Sequence, residues 1–209
     1  MKPNSLIYKI PLVLCSASPR RKWILETAGY DVQQKSVPLD ETLIADRSVT
    51  DALMELSRRK LEAVRQSEPK AGLASGCGEH WFVAADTEVV FQNRTLGKAA
   101  TIDDAEHILR RLSGREHEVI TAVSFSNFEQ EVPDSFFCKT SIRFRVLSDR
   151  EINRYLQSNE WVDKAGAYAI QGLGGSFVAE MKGDFLNVVG FPLCEFELKF
   201  LNLRGDFLV

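Results

Sequence analysis

The sequence predicts an α/β protein in which helices flank a mixed sheet. Strand-like and helix-like stretches alternate along the chain, yet residues 82–91 and 119–146 place strands in succession with no helix between them, which an all-parallel sheet does not allow. With 209 residues, 44% hydrophobic and 26% charged, the chain can bury one core over 1–209, or at most two small ones.

The first element is the apolar run Leu12–Cys15, a buried strand by its composition. A helix follows, with Ser18 as N-cap, Pro19 at its first position and Gly29 as its stop. Its first turn carries Arg20, Arg21 and Lys22, where aligned peptide dipoles already place about half a positive charge. Cations there are unfavourable unless solvent screens them or an anion arrives. Ser16, Ser18, the unpaired helix N–H groups and two guanidinium forks suit phosphate, whereas a solvated helix with its arginines in water is the bland alternative.

Beyond "VPLDETL", Leu53, Leu56, Leu61 and Val64 form a helical stripe with Thr50 as cap and Lys60 beside it. "AGLASGCGEH" predicts a surface loop and the best site for an insertion, and "WFVAADTEVVF" is a strand whose apolar run is broken by Asp86 and Thr87. A turn at "QNRTLG" leads to a helix with Thr101 and Asp104 in capping-box spacing and Gly114 as terminator. Strands follow at "EVITAVSF" and "SIRFRVL", the latter with Ile142, Phe144 and Val146 inward. Ser148 and Glu151 open another capped helix, then come the glycine-punctuated "DKAGAYAIQGLGGSFV", a turn at "KGD", "FLNVVGFP" and a last helix from about Pro192.

Composition removes several function classes. A formal net charge of −3 gives no basic field for nucleic acid or an anionic membrane. Cys15, Cys77, Cys138 and Cys194 lack paired spacing and suit a reducing cytoplasm, and no stretch has the form of a signal peptide or a membrane span. No GxxxxGK[ST] occurs, and His80, His107 and His117 have neither zinc spacing nor a GxSxG partner.

Some residues could carry chemistry. Asp86 inside an apolar strand needs a pair, hydrogen bonds or a metal, the alternative being a turn-starting aspartate that binds nearby backbone N–H groups. Asp40 and Glu41 could join it around a divalent ion, since oxygen ligands suit one, although adjacent loop carboxylates are more often solvated. Lys60, Lys98 and Lys164 each lie next to a structural transition or a small-residue stretch, which suits side chains reaching into a cleft, although a single surface lysine is usually just solvated. Gln171, among glycines that allow close approach, has both donor and acceptor groups for a base edge.

Together these stretches resemble the Maf family of nucleotide pyrophosphatases. "LCSASPRRKWILETAG", "LDE", "RRKLEAV", "AADT", "LGK", "LSGREHEVIT", "DKAGAYAIQG" and "NVVGFPL" recur in the family's order from about Leu12 to Leu201. The resemblance implies a twisted mixed sheet shared with the inosine triphosphate pyrophosphatase group, two lobes around a cleft, and hydrolysis of a nucleoside triphosphate to the monophosphate and pyrophosphate with Mg²⁺ or Mn²⁺. It implies Asp86 as the catalytic base, Glu41 and Asp86 near the metal, and Ser16, Arg20, Arg21, Lys60 and Lys98 on the triphosphate. Arg20, Thr87 and Gln171 are similar to the branch that acts on dTTP and UTP; a 7-methyl-GTP branch and a non-catalytic, division-linked nucleotide sensor are the alternatives. A nucleotide substrate, a cytoplasmic location and room for a homodimer complete the expectation. Ala99, Glu88 and the 71–80 loop depart from the family pattern.

Overall fold

A computed structural model describes residues 10–43, 47–67, 80–127 and 129–204. Cys77 and most of the expected 71–80 insertion lie outside them. The described elements are strand β1 (Pro11–Cys15), helix α1 (Pro19–Thr27), β2 (Asp31–Lys35), α2 (Val49–Ser67), β3 (Trp81–Phe91) and β4 (Arg94–Thr95). After them come α3 (Ile102–Leu112), β5 (Glu116–Ser126), β6 (Asp134–Phe144), α4 (Asp149–Gln157), a 3-10 turn (Leu173–Phe177), β7 (Val178–Lys182), α5 (Phe185–Val189) and α6 (Leu193–Arg204).

The seven strands form one sheet in the order β2-β1-β3-β5-β6-β7, with β4 on β3. Its mixed character is as expected: β1 runs parallel to β2 and β3, whereas β4 is antiparallel to β3 and β7 to β6. Pairing of β1 with β3 covers only Leu12–Leu14 against Trp81–Val83, and β4 meets β3 at Val90 and Phe91. Asp86 and Thr87 therefore lie on β3 between its pairings with β1 and β4.

The chain divides into two compact units. The first holds the described residues up to Asp86 together with Ala122–Phe137 and those from Gly190, and the second holds Thr87–Thr121 and Cys138–Val189. In the first, Val13, Cys15, Leu61, Val64, Phe82 and Ala84 bury one face of α2 against β1 and β3. This is the face that the leucine stripe specified. Tyr30, Trp81 and Phe125 meet Phe200 edge-on and Phe196 stacks on it, all in the same unit. The second unit has its own core, in which Leu109 and Leu112 of α3, Tyr155 and Leu156 of α4, and Ile142 and Phe144 of β6 are buried.

Local signals place most helix ends. Ser18 accepts from the Arg21 backbone N–H and Gly29 has φ +97°, so α1 starts and stops where the sequence indicates. Both capping boxes, Thr101 with Asp104 and Ser148 with Glu151, are formed. Two expectations are corrected. The backbone N–H of Asp51 donates to Ser48 Oγ at 3.1 Å, so Ser48 caps α2 and Thr50 lies within its first turn. Val146 is 80% exposed, because β6 ends at Phe144 and its inward alternation ends with it.

Candidate active site

The site is built at the carboxyl ends of the parallel strands β1 and β2 and from the adjoining part of β3, where an open α/β sheet leaves backbone groups for a ligand. Ser16 follows the last residue of β1. Its Oγ accepts from Arg21 Nη1 at 2.9 Å and from the Ser18 backbone N–H at 3.2 Å. Arg21 also donates from Nε to the Gly190 carbonyl at 2.9 Å, tying α1 to the chain just before α6. From β2, Gln34 Nε2 donates to the carbonyls of Ser16 and Ser18 at 2.7 and 3.2 Å. The turn from strand to helix is thus held from several sides.

Arg21 is only 8% exposed, which removes it from the solvated-helix alternative. Burial lowers its pKa, the Asp86 and Glu41 carboxylates oppose that shift, and neighbouring Arg20 adds to it. These influences locate Arg20, Arg21, Glu41 and Asp86 in one electrostatic neighbourhood.

Lys60 joins them. From α2 its Nζ lies 2.9 Å from Asp86 Oδ2 and 3.0 Å from Glu41 Oε1, with the Lys60 and Asp86 side chains 13% and 16% exposed. Asp86 therefore sits within a strand and in an ion pair, which excludes the turn-starting role. Arg59, the preceding residue on α2, donates to the carbonyls of Asp40 and Thr42 at 3.1 and 3.2 Å and so fastens the segment that carries Glu41. Asp40 turns away to its own loop, where it accepts from the Thr42 N–H at 2.9 Å. The expected grouping of three carboxylates is corrected: two converge, and no group of three His, Cys, Asp or Glu gathers among the described residues.

Two carboxylates already gathered around one ammonium are a hard-oxygen donor set. Such a set fits Mg²⁺ or Mn²⁺, which take one or two carboxylates and complete their shell with water and phosphate oxygens rather than with an all-protein cage. Glu41 and Asp86 are the residues that would hold the ion.

The remaining expected residues belong to the second unit. Thr87 Oγ1 lies 2.9 Å from Thr121 Oγ1. Lys98 is exposed, and its backbone bridges to Ala165. Lys164 donates to the Val162 carbonyl within its own turn at 2.9 Å. Gln171 is exposed on a turn held from both sides: the Ala169 N–H donates to Tyr155 Oη at 3.0 Å and the Leu173 N–H to Glu160 Oε1 at 3.0 Å. Tyr168 on that turn pairs with buried His117 Nε2 at 2.9 Å. Gly166 allows the turn its close approach, since its φ is +67° and a Cβ there would lie 2.7 Å from a Val89 methyl.

Sequence reasoning missed Arg59, Gln34, Gly190 and Thr121. Arg59 had a signal in the "RRK" stretch, but the others act through partners distant in sequence.

The family model described as Maf-like protein matches residues 11–202 of the chain. The chain is 42% identical over 183 residues to the dTTP/UTP pyrophosphatase of Halalkalibacterium halodurans, covering 88% of this chain and 90% of that protein. It is 41% identical over 184 residues to the dTTP/UTP pyrophosphatase of Pseudoalteromonas translucida, covering 88% and 92%. Among solved structures it is similar to the Staphylococcus aureus Ham1 protein at a TM-score of 0.42 and 14% identity, over 64% of this chain and 71% of that one. No helix among the described residues is long and apolar enough to cross a membrane.

Proposed function

Because the chain belongs to the Maf-like protein family, we propose that it is a nucleoside triphosphate pyrophosphatase that cleaves dTTP and UTP between the α and β phosphates, working in the cytoplasm as one catalytic domain over 1–209. The observation that carries the reading is the Lys60 ammonium between the carboxylates of Asp86 and Glu41, beside the buried Arg21.

Asp86 accepts a proton from water, whose oxygen bonds to the α-phosphorus as the bond to the bridging oxygen breaks. The products are the nucleoside monophosphate and pyrophosphate. Lys60 orients the Asp86 carboxylate, and Arg59 orients Glu41 through the backbone on either side of it. Arg20, Arg21, Lys60 and Lys98 stabilise negative charge that grows on the departing pyrophosphate, and Ser16 contributes its hydroxyl. Mg²⁺ or Mn²⁺, when bound through Glu41 and Asp86, neutralises phosphate charge and polarises phosphorus. Thr87 and Gln171 meet the base.

Pyrophosphate release measured with Mg²⁺ over dTTP, UTP, ATP, GTP and 7-methyl-GTP tests the reading. Turnover of dTTP and UTP well ahead of the others is expected. A preference for 7-methyl-GTP moves the substrate class, and tight binding with no pyrophosphate released replaces the enzyme by a nucleotide sensor.

A further inference from the structure

Asp51, Met54 and Arg58 stand three and four residues apart on α2 and so share one of its faces. With Arg47, just before the helix, they line a cavity of about 340 Å³ in the first unit. Lys60 is two residues past Arg58, about 200° around the helix, so the cavity lies on a different face of α2 from the ammonium that meets Glu41 and Asp86. Nothing in the proposed hydrolysis uses it.

Arg58 is anchored from behind by a row of hydroxyls with a single direction. Ser57, fully buried, lies 2.8 Å from the Met54 backbone carbonyl, which only accepts, so the Ser57 proton goes there. The 2.6 Å bond between Ser57 and Ser124 is therefore made with the proton of Ser124, also fully buried. By the same step, the 2.9 Å bond between Ser124 and Ser135 is made with the Ser135 proton. Ser135 Oγ is left as an acceptor, and Arg58 Nε donates to it at 2.9 Å. With Nε committed, the two Nη groups have no protein partner among the described residues. They form the end of the guanidinium fork, the edge that grips an oxyanion through two parallel N–H bonds.

The other lining residues complement that edge. Arg47 Nη1 is 3.9 Å from Glu55 Oε2, an ion pair too long for a hydrogen bond, so its donors are also available. Asp51 takes the Ser48 hydroxyl proton on Oδ2 at 2.6 Å, which leaves Oδ1 to accept from a ligand. Met54 adds an apolar wall. We propose that this cavity is a second ligand site, which takes a small phosphomonoester whose organic part carries hydroxyl or amino donors, with Arg58 held ready by the serine row. The two guanidinium groups bind the phosphate and Asp51 accepts from the organic part. Inorganic phosphate would leave Asp51 unused and most of the volume unfilled, whereas 340 Å³ is the size of a site for one small molecule. Sugar phosphates and nucleoside monophosphates share the required chemistry.

Met54 supplies a local probe. The chain has three methionines, and of these Met181 lies on β7 in the second unit. In protein labelled with ¹³C at the methionine methyls, with Met54 assigned through Met54→Leu, ribose 5-phosphate or adenosine 5′-monophosphate should shift the Met54 signal saturably, with Kd of about 1 mM or tighter. Saturation by one and not the other identifies the source of the phosphomonoester. Inorganic phosphate should bind about tenfold more weakly. Arg58→Gln should weaken binding of the better ligand about tenfold, the loss expected for a charge-assisted pair of hydrogen bonds. Ser135→Ala should weaken it about threefold, because the guanidinium remains but must be ordered when the ligand arrives. Absence of a saturable Met54 shift with both ligands, an unchanged affinity in either variant, or inorganic phosphate binding as tightly as the esters overturns the proposal. If Arg58→Gln does not fold, Arg47→Gln at the exposed side of the cavity decides by the same tenfold criterion.

Discussion

The two units handle polarity in opposite ways. In the first, formal charges crowd together: Lys60 between Asp86 and Glu41, with Arg21 buried nearby under the influence of both carboxylates. In the second, Thr87, Thr121 and Asn187 form a line of uncharged groups linked by hydrogen bonds. The division falls between the adjacent residues Asp86 and Thr87. Coulombic attraction is strong and reaches far, but it treats every triphosphate alike. A neutral donor or acceptor is weaker, yet it distinguishes one base edge from another because a mismatch leaves a group unpaired. Rate and affinity should therefore respond mainly to the first unit, and substrate preference to the second.

Asp86→Asn attacks the comparison where the expected effect is largest. The amide keeps the shape and one oxygen for Lys60 but cannot take a proton from water, so kcat should fall on the order of 10²- to 10⁴-fold while nucleotide affinity is largely kept. Single-turnover pyrophosphate release with a parallel binding titration checks it. Near wild-type turnover would make the carboxylate structural.

Arg21→Ala should act more broadly. It removes two partners at once, leaving the Gly190 carbonyl and Ser16 Oγ without this donor. We expect roughly 2–4 kcal/mol of lost stability together with a 10- to 100-fold fall in kcat/KM, spread evenly over dTTP, UTP and ATP because a phosphate contact carries no base information. Urea unfolding and a nucleotide panel read the two effects. A change in base preference would blur the division of labour.

His117 sharpens it from the side of stability. The imidazole is buried in the second unit, and burial pushes its pKa down from 6.5 to about 4. Between those values the unfolded chain binds more protons than the folded one, so stability is lost as pH falls from above 6.5 toward 4. From pH 7 to pH 5 the loss attributable to this group is about 2 kcal/mol. In His117→Gln, which retains a hydrogen-bonding end for Tyr168, the pH dependence of urea unfolding should be shallower by that amount. Equal slopes would mean that the imidazole gains its proton in the folded protein as readily as in the unfolded chain.

Much of the first unit was legible in the sequence, because its signals are local. Ser18-Pro19 and Gly29 bounded α1, four aliphatic residues marked the buried face of α2, and an aspartate inside an apolar strand drew attention before any partner was known. The edge strands were not legible: β2 reads "DVQQK" and β7 "VAEMK", half polar segments that become strands through ladders with β1 and β6. Ser48 and Thr50 have equal claim to a cap by residue type, and geometry alone selects Ser48. The deepest gap lies in contacts between distant positions. Arg21 meets Gly190 across 169 residues and Thr121 meets Asn187 across 66, separations at which composition and periodicity carry no signal.

Gln171→Glu is the smallest change and the most direct test of the second unit as the reader of the base. The side chain is exposed, and the turn that carries it is held by Tyr155, Glu160 and the His117–Tyr168 pair rather than by Gln171 itself. Replacing an exposed amide with a carboxylate of the same length should leave unfolding within about 0.5 kcal/mol of wild type. What it removes is a donor. A carboxylate only accepts, so one carbonyl of thymine or uracil loses its partner and faces a negative charge, which should lower kcat/KM for dTTP and UTP about tenfold. Nucleotides that the wild type uses poorly make no such contact and should change little, so the spread across the panel narrows instead of shifting as a whole. A uniform fall across all nucleotides would assign Gln171 to the triphosphate together with Lys98, and with it would go the claim that the second unit reads the base.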